Sequence, residues 1–323
     1  NQFFTIPQLQ LAELLVKNSC LDKVFFSNSG AEANEGAVKL ARRYGILHLN
    51  GAYEVITTLN SFHGRTLLMT AATGQPKFHK PYNPIPSGFT NVEYNNIEAI
   101  KEATTSKTCA VMLEPVQGEG GVNLPDDNYL KAVREWCDRK GILLILDEVQ
   151  TGIGRTGTLF GYEQYGIEPD IITLAKGMAS GIPIGAIMSK EKASVFSPGE
   201  HGSTFGGNPV ACAAAYATIK FVIENDISGK VKKSGQYFID GLKNLQQKFP
   251  FITEVRGSGL LIAIEFDRDM AQEVLTSCLE QGMLVNCVKP NALRFMPPLI
   301  IGKTEIDNAL DILDKALSNL GLK

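Results

Sequence analysis

The sequence lacks any run of apolar residues long enough to cross a membrane, for which about 18 consecutive apolar residues are needed. It also lacks an excess of basic residues, because its net charge is only −3 at pH 7, and a basic surface is what nucleic-acid-binding proteins present. The first residues, Asn1 to Phe4, form neither the charged region nor the apolar core of a signal peptide. These absences argue against a membrane protein and against a nucleic-acid-binding protein.

Cysteine and histidine are too scattered to form a metal site. The six cysteines include no CxxC pair, and the four histidines show no metal-ligand spacing. Reduced thiols in the core are the default for such a pattern, so we expect a cytoplasmic protein without a metal centre. The cysteines are Cys20, Cys109, Cys137, Cys212, Cys278 and Cys287.

Short apolar runs alternate with segments of helical periodicity, which is typical of an α/β protein with a parallel sheet between two layers of helices. Candidate strands are residues 24–26, 54–58, 109–114, 142–147, 171–174 and 184–188, and candidate helices are 8–18, 31–47, 127–140 and 209–224. After about residue 225 an amphipathic helix through Lys248, strands at 253–256 and 260–266, and helices at 270–281 and 304–320 indicate a smaller α+β domain. We therefore predict a large domain over residues 1–225 and a C-terminal domain over 226–323.

Two apolar strands end abruptly in a charged residue. Residues 143–146 lead to Asp147, and residues 171–175 lead to Lys176. A buried lysine and a buried carboxylate on strand ends suit pyridoxal 5'-phosphate, since the amine forms a Schiff base and the carboxylate keeps the pyridine nitrogen protonated. Taken singly, the same residues are compatible with a helix cap, a magnesium-nucleotide site or a solvated strand end.

Turns between strands and helices supply further candidate ligands. Ser29-Gly30-Ala31 precedes a long helix, where free N–H groups suit a phosphate, although Ser29 with Glu32 also fits an ordinary capping box. Phe62 and Arg65 suit a flat cofactor and a substrate carboxylate, or else a core ring and a solvated arginine.

Other polar residues are expected at the same edge of the sheet. Glu114 and Glu119 follow an apolar strand, and ligands of open α/β sheets bind beyond the carboxyl ends of the strands. Ser203 and Thr204 precede another helix and offer hydroxyl groups to a second phosphate contact.

Taken together and in this order, these motifs closely resemble those of class III aminotransferases of pyridoxal phosphate fold type I. The resemblance covers nearly the whole chain, including Arg256-Gly257-Ser258-Gly259-Leu260 and the segment from Leu293 to Pro298. It implies a large domain with a mainly parallel sheet of the seven-stranded type, a smaller C-terminal α+β domain, and a homodimer with shared active sites.

The resemblance also implies roles for single residues. Lys176 binds the cofactor covalently and moves the proton, and Asp147 pairs with the pyridinium nitrogen. Gln150 binds the ring oxygen, Phe62 and Val149 pack on the two ring faces, and Thr204 reaches the phosphate of the neighbouring subunit. The implied cofactor-binding residues are Ser29, Gly30, Ala31, Phe62, Asp147, Val149, Gln150, Lys176, Ser203 and Thr204.

For the substrates, the resemblance implies Arg294 for the α-carboxylate of glutamate or 2-oxoglutarate and Arg65 for a second carboxylate. Glu119 matches a glutamate that pairs with the α-carboxylate arginine while an ω-amino donor is bound. The expected reaction is a ping-pong transfer of an amino group to 2-oxoglutarate. N-acetylornithine is the preferred donor, and ornithine, succinylornithine, succinyldiaminopimelate and 4-aminobutyrate are alternatives.

One departure from the family is expected to matter. Its members carry about seventy more residues before the segment that resembles Gln2-Phe3-Phe4, and a covering segment there keeps water from the chemistry. The sequence also lacks an initiating Met. An inactive dimeric binding or regulatory protein therefore remains as the alternative from a different class.

Overall fold

The computed structural model describes residues 3–320, and its central feature is a seven-stranded sheet. The order of its strands is β1-β7-β6-β5-β4-β2-β3. Strand β7 runs in the opposite direction to the other six, which are parallel to one another. Every residue of β4, β5 and β6 is buried, as expected of central strands with helices on both faces. The strands are β1 Lys23–Ser27, β2 Glu54–Thr58, β3 Phe89–Val92, β4 Thr108–Leu113, β5 Leu143–Asp147, β6 Ile171–Leu174 and β7 Gly185–Ser189.

A smaller antiparallel sheet follows in the last third of the chain. Its order is β10-β11-β9-β8, and the strands are β8 Ile252–Ser258, β9 Leu261–Phe266, β10 Asn286–Lys289 and β11 Ala292–Phe295. The helices are α1 Ile6–Lys17, α2 Gly30–His48, α3 Leu67–Ala72, α4 Pro76–His79, α5 Ile97–Ala103, α6 Tyr129–Lys140, α7 Pro209–Glu224, α8 Ile227–Lys248, α9 Ala271–Glu280 and α10 Lys303–Asn319. Within residues 3–320, no helix is both long and apolar enough to cross a membrane.

The predicted fold class is confirmed: an α/β fold with a mainly parallel sheet of the seven-stranded type and a smaller C-terminal α+β part, which holds the antiparallel sheet. The predicted division at residues 225 and 226 stays a prediction. Helix α8 begins close to it, and Val231 in its first half packs in the core around the large sheet. Phe238 and Leu242, further along the same helix, pack in the core of the small sheet. The helix therefore belongs to both cores.

The parallel strands bring the predicted site residues to one edge of the large sheet. Strand β5 ends at Asp147, β6 ends two residues before Lys176, and β4 ends just before Glu114. Strand β1 runs parallel to β6, since both pair antiparallel with β7, and it leads into Ser29 at the start of α2. The candidate site lies along this edge.

Candidate active site

A cavity of about 520 Å³ opens at the carboxyl edge of the large sheet, between the N-terminus of α2, the loop after β2 and the ends of β5 and β6. It brings together most of the residues that are predicted for a cofactor and one that is predicted for a substrate carboxylate, Arg65. The predicted cofactor residues that line it are Ser29, Gly30, Ala31, Phe62, Asp147, Val149, Gln150 and Lys176.

Asp147 is the most firmly held carboxylate in this cavity. Its Oδ2 accepts hydrogen bonds from Asn34 Nδ2 at 2.7 Å and from His63 Nδ1 at 2.8 Å, and its Oδ1 accepts from the Val149 N–H at 3.0 Å. Asn34 is in turn fixed because its Oδ1 accepts from Thr173 Oγ1 at 2.6 Å. The carboxylate is 3% exposed, so these donors replace water in holding its orientation.

The site residues predicted from the sequence do not include Asn34 and His63, which both contact Asp147. Asn34 is a buried polar residue among the buried alanines of α2, and that placement is the signal that could have identified it. His63 follows Phe62 directly in the sequence, and a lone histidine is not by itself a signal for a site. Its Nε2 atom is buried and has no hydrogen-bond partner among the described residues.

The first turn of α2 lies at the cavity, where Gly30 and Ala31 line it. Ser29 Oγ accepts a hydrogen bond from the Glu32 N–H at 3.2 Å, which is the first half of the predicted capping box. The second half is absent, because the Glu32 carboxylate accepts from the backbone N–H and side-chain amide of Asn28 rather than from the Ser29 N–H. The N–H groups of Gly30 and Ala31, in the first turn, have no acceptor within the helix. A Cβ at residue 30 would lie 2.8 Å from Val149 Cγ1, so glycine allows the helix to begin against that side chain.

Glu114 connects two loops at the floor of the cavity. Its Oε1 accepts from the Phe62 N–H at 2.9 Å, and its Oε2 accepts from the Gly118 N–H at 3.2 Å. Burial raises the pKa of Glu114 to about 7, with Asp147 adding to the shift and His63 and the two N–H groups opposing it.

Phe62 and Arg65 lie close together, as both interpretations of this motif allow. The Phe62 ring meets Phe78 edge-on at a centroid distance of 5.8 Å, and Arg65 Cζ lies 4.9 Å from the Phe78 centroid. Arg65 is exposed and Phe62 is half-buried, and both face the cavity rather than the core. A planar ligand can therefore reach the Phe62 ring.

Lys176 begins a tight turn directly after β6, with a φ of 44°. This left-handed conformation is unfavourable for a residue other than glycine and is typical of functional positions. The prediction of a buried lysine is wrong, because Lys176 is exposed where it lines the cavity, although the protein around its amine still displaces part of the water. Burial lowers the pKa of the Lys176 amine, against the opposing effect of Asp147, Glu119 and Glu114, and a larger fraction of the amine is neutral than in a free lysine.

Arg294, Glu119 and Gln150 form a cluster beside the cavity. Arg294 is 7% exposed, and its Nη1 donates to Glu119 Oε1 and to Gln150 Oε1, both at 2.9 Å. Gln150 Nε2 donates to the same Glu119 oxygen at 3.3 Å. Burial raises the pKa of Glu119, but the charge and hydrogen bond of Arg294 outweigh it and hold that pKa below its ordinary value. The predicted pairing partners, Glu119 and Arg294, are thus in contact.

Ser203 and Thr204 do not line the 520 Å³ cavity. They border a separate cavity of about 410 Å³ with Glu32 and His201, and Ser203 Oγ accepts from Asn28 Nδ2 at 3.0 Å. A single chain therefore does not bring these two hydroxyls to the cavity. The contact of Thr204 with the phosphate of a neighbouring subunit and the cofactor-binding role of Ser203 stay predictions.

The fold and this arrangement of residues are those of an aminotransferase. The chain matches the family model described as Aminotransferase class-III over residues 1–317, and it belongs to that family. It is 53% identical to the acetylornithine aminotransferase of Caldanaerobacter subterraneus subsp. tengcongensis, covering 99% of this chain and 82% of the relative. It is 44% identical to the succinylornithine transaminase of Photorhabdus laumondii subsp. laumondii, covering 98% of this chain and 80% of the relative.

Solved structures agree with the family. The ornithine aminotransferase of Toxoplasma gondii ME49 superposes with a TM-score of 0.95 at 34% identity and covers 99% of this chain and 78% of that chain. A PLP-bound amine transaminase from an uncultivated Pseudomonas species superposes with a TM-score of 0.92 at 30% identity, covering 99% and 82%.

Proposed function

We propose that the protein transfers the terminal amino group of N-acetylornithine to 2-oxoglutarate with pyridoxal phosphate as cofactor. The products are N-acetylglutamate semialdehyde and glutamate, a reaction of arginine biosynthesis in the cytoplasm. The observation that carries the proposal is the convergence of Lys176, Asp147 and the first turn of α2 on one cavity. Curated relatives named acetylornithine aminotransferase, which are 53% and 51% identical to this chain, support the choice of donor.

The residues of the cavity fit pyridoxal phosphate at both ends of the molecule. When bound, the cofactor supplies an electron-accepting ring, which requires a protonated pyridine nitrogen. Asp147 would pair with that nitrogen, and Asn34 and His63 keep the carboxylate in place. The N–H groups of Gly30 and Ala31 would bind the phosphate, where the helix dipole favours negative charge.

The remaining side chains would hold the ring and the reacting proton. Phe62 and Val149 would pack on the two faces of the ring, and Gln150 would hydrogen-bond its oxygen. Lys176 would hold the cofactor covalently. Once released by the substrate, its Nζ would move the proton at the reacting carbon, for which a lowered pKa is an advantage.

Two arginines and one carboxylate would let the site accept substrates of different charge. With the ω-amino donor bound, Glu119 neutralises Arg294, as in the described structure. With glutamate or 2-oxoglutarate bound, Arg294 would take the α-carboxylate and Arg65 the second one, each with the fork geometry that suits a carboxylate. We also propose that the enzyme is a homodimer, in which Ser203 and Thr204 approach the phosphate of the partner's cofactor.

Ornithine is the second candidate donor, because the ornithine aminotransferase of Toxoplasma gondii ME49 superposes over 99% of this chain. The two donors differ at the α-amino group. An acylated amine needs room and hydrogen bonds, whereas a free ammonium needs a carboxylate or an aromatic partner. The succinylornithine transaminase relative keeps a third, acylated donor as an alternative.

An absorbance titration distinguishes these donors. The purified protein is mixed with pyridoxal phosphate, and N-acetylornithine or ornithine is added to separate samples, followed by 2-oxoglutarate, while the visible band of the lysine-bound cofactor is monitored. We expect N-acetylornithine to bleach the band and 2-oxoglutarate to restore it, while ornithine acts much more slowly. Bleaching by ornithine alone would move the assignment to that donor, and a chain that forms no visible band would favour the inactive binding protein.

Lys176→Ala is the control for this titration. The variant should keep its fold by circular dichroism, since the Lys176 side chain is exposed at the cavity, and it should form no lysine-bound band. A variant that fails to fold would assign the lysine a structural role instead.

A further inference from the structure

The loop of residues 117–123, here called the bridging loop, follows β4 and contacts both sheets through its side chains. Its base is closed by two hydrogen bonds of 3.0 Å between the backbones of Gln117 and Asn123. Gln117 Nε2 ties this base to the large sheet by donating to the Leu59 carbonyl at 2.8 Å. The loop contains Glu119, whose carboxylate reaches Arg294 on the small sheet. The position of Glu119 therefore depends on how the bridging loop is held.

Two arginines of the small sheet lie on the face toward this loop. Arg294 on β11 is directly opposite Ala263 on β9, and Arg256 on β8 is directly opposite the same alanine. Residues that are opposite each other in an antiparallel pair present their side chains on the same face. The two arginines thus flank a small residue in one row, and Ala263 packs in a cluster with Val116 and Val122 from the bridging loop and its approach.

Arg256 holds the backbone of the loop. Its Nη2 donates to the Gly121 carbonyl at 2.7 Å, and its Nε donates to the Gly121 and Val122 carbonyls at 3.1 Å each. Its charge is balanced by Glu254 at 2.6 Å and Glu265 at 2.7 Å, and its side chain is only 10% exposed. All three nitrogens of the guanidinium are therefore used, for contacts with the loop and with the small sheet.

We propose that Arg256 is a positioning residue that keeps Glu119 within reach of Arg294 and so sets how readily a substrate carboxylate replaces Glu119. This inference rests on the proposed function. A tethered carboxylate competes for Arg294 at a high effective concentration, which falls when the tether is loosened. Loss of Arg256 should therefore strengthen the binding of ligands whose carboxylate pairs with Arg294. It should weaken the binding of a donor that requires Arg294 to be neutralised by Glu119.

Arg256→Met tests this role through binding as well as turnover. Glutarate, a dicarboxylate without a reactive group, is titrated into the holoenzyme by calorimetry. We expect the variant to bind glutarate up to about tenfold more tightly than the original protein, the range of coupling seen between neighbouring residues of one network. The ratio of kcat/KM for N-acetylornithine to that for 2-oxoglutarate should fall by a similar factor. Arg256→Lys, which keeps the charge but not the fork, should lie between the two.

The same substitution in a Glu119→Gln background shows whether the effect passes through Glu119. There, Arg256→Met should change glutarate affinity less than twofold. If Arg256→Met changes glutarate affinity equally in both backgrounds, the positioning role is overturned. It is also overturned if kcat/KM for N-acetylornithine and for 2-oxoglutarate fall together, in proportion to a lowered melting temperature. If the unsubstituted protein binds glutarate but does not react with N-acetylornithine, the proposed donor is wrong. The glutarate affinities of the unsubstituted protein, the two single variants and the double variant still decide the role of Arg256.

Discussion

At the scale of single residues, the candidate site depends on side chains that orient other side chains. Asn34 is the clearest case, because one amide donates to Asp147 Oδ2 and to the His63 carbonyl, both at 2.7 Å, and accepts from Thr173. The residue thereby joins α2, β6 and the loop after β2 around one carboxylate. The geometry of Asp147 is thus determined by residues far from it in sequence.

We expect Asn34→Ala to weaken pyridoxal phosphate binding by about tenfold or more, since losing a hydrogen bond to a charged group costs about 1.5–3 kcal/mol. Spectroscopic titration of the apoprotein with the cofactor measures this change.

Asn91→Ala is the matched control for that variant. Like Asn34, Asn91 hydrogen-bonds a threonine and donates to a backbone carbonyl: its Nδ2 donates to Thr57 Oγ1 at 2.6 Å and to the Ala72 carbonyl at 3.1 Å. It does not line the 520 Å³ cavity. The control should lose stability without losing cofactor affinity. Equal losses of affinity in both variants would mean that Asn34 acts on the fold alone.

At the scale of elements, the position of α2 decides where its first turn meets the cavity. Gly45, near the end of this helix, allows a close approach, since a Cβ there would lie 1.9 Å from the Ala52 carbonyl oxygen. A backbone carbonyl has little freedom to move away. The glycine thus fixes the distance between the helix and the segment that enters β2.

We expect Gly45→Ala to lower the free energy of unfolding by about 2 kcal/mol: overpacking against a backbone atom should cost about 3 kcal/mol, the upper end of the usual range, and the gain in helix propensity returns about 1 kcal/mol. Gly241→Ala, inside α8, is the control. Its Cβ would meet the end of the Leu310 side chain at 2.3 Å, and that leucine can change rotamer. The control should stay within about 1 kcal/mol of the original protein in urea unfolding. Equal effects would contradict the argument.

Elements with strong local signals could be predicted from the sequence, and weakly patterned ones could not. Helix α7 was predicted with its observed bounds, since Asn208 caps it, Pro209 begins it and its interior is rich in alanine. Strand β3 was missed because it is a short edge strand with only partial burial. Strands β10 and β11 were missed because each has four residues and β10 is not fully buried.

The same distinction applies to the site. Asp147 and Lys176 could be predicted because each ends an apolar strand, a local feature of the sequence. The contacts of Asp147 with Asn34 and His63 could not, because they join positions 113 and 84 residues apart. Such contacts depend on strand order and helix placement, which no local pattern reports.

At the scale of the whole molecule, buried carboxylates couple folding to pH. Glu148 is 1% exposed and accepts hydrogen bonds from the Tyr162 N–H at 2.8 Å, the Gly161 N–H at 2.9 Å and Thr151 Oγ1. Burial nevertheless outweighs these donors and raises the pKa of Glu148 to about 7. Glu114 is raised to about 7 as well, by burial and by the nearby Asp147. Each group binds its proton more tightly in the folded chain than in the unfolded chain.

The free energy of unfolding should therefore fall as pH rises from about 5 to 8. A raised pKa contributes stability that is fully present below the unfolded value of 4.5 and is lost as pH passes the folded value of about 7. Urea unfolding at pH 5, 6, 7 and 8 measures the slope. Glu148→Gln cannot ionise, so its slope should be shallower, although the variant is less stable at every pH because its amide cannot accept from all three donors. A slope unchanged by the substitution would show that Glu148 is already ionised at pH 5 in the folded chain. Stability that rises over this interval would contradict the predicted direction for the molecule as a whole.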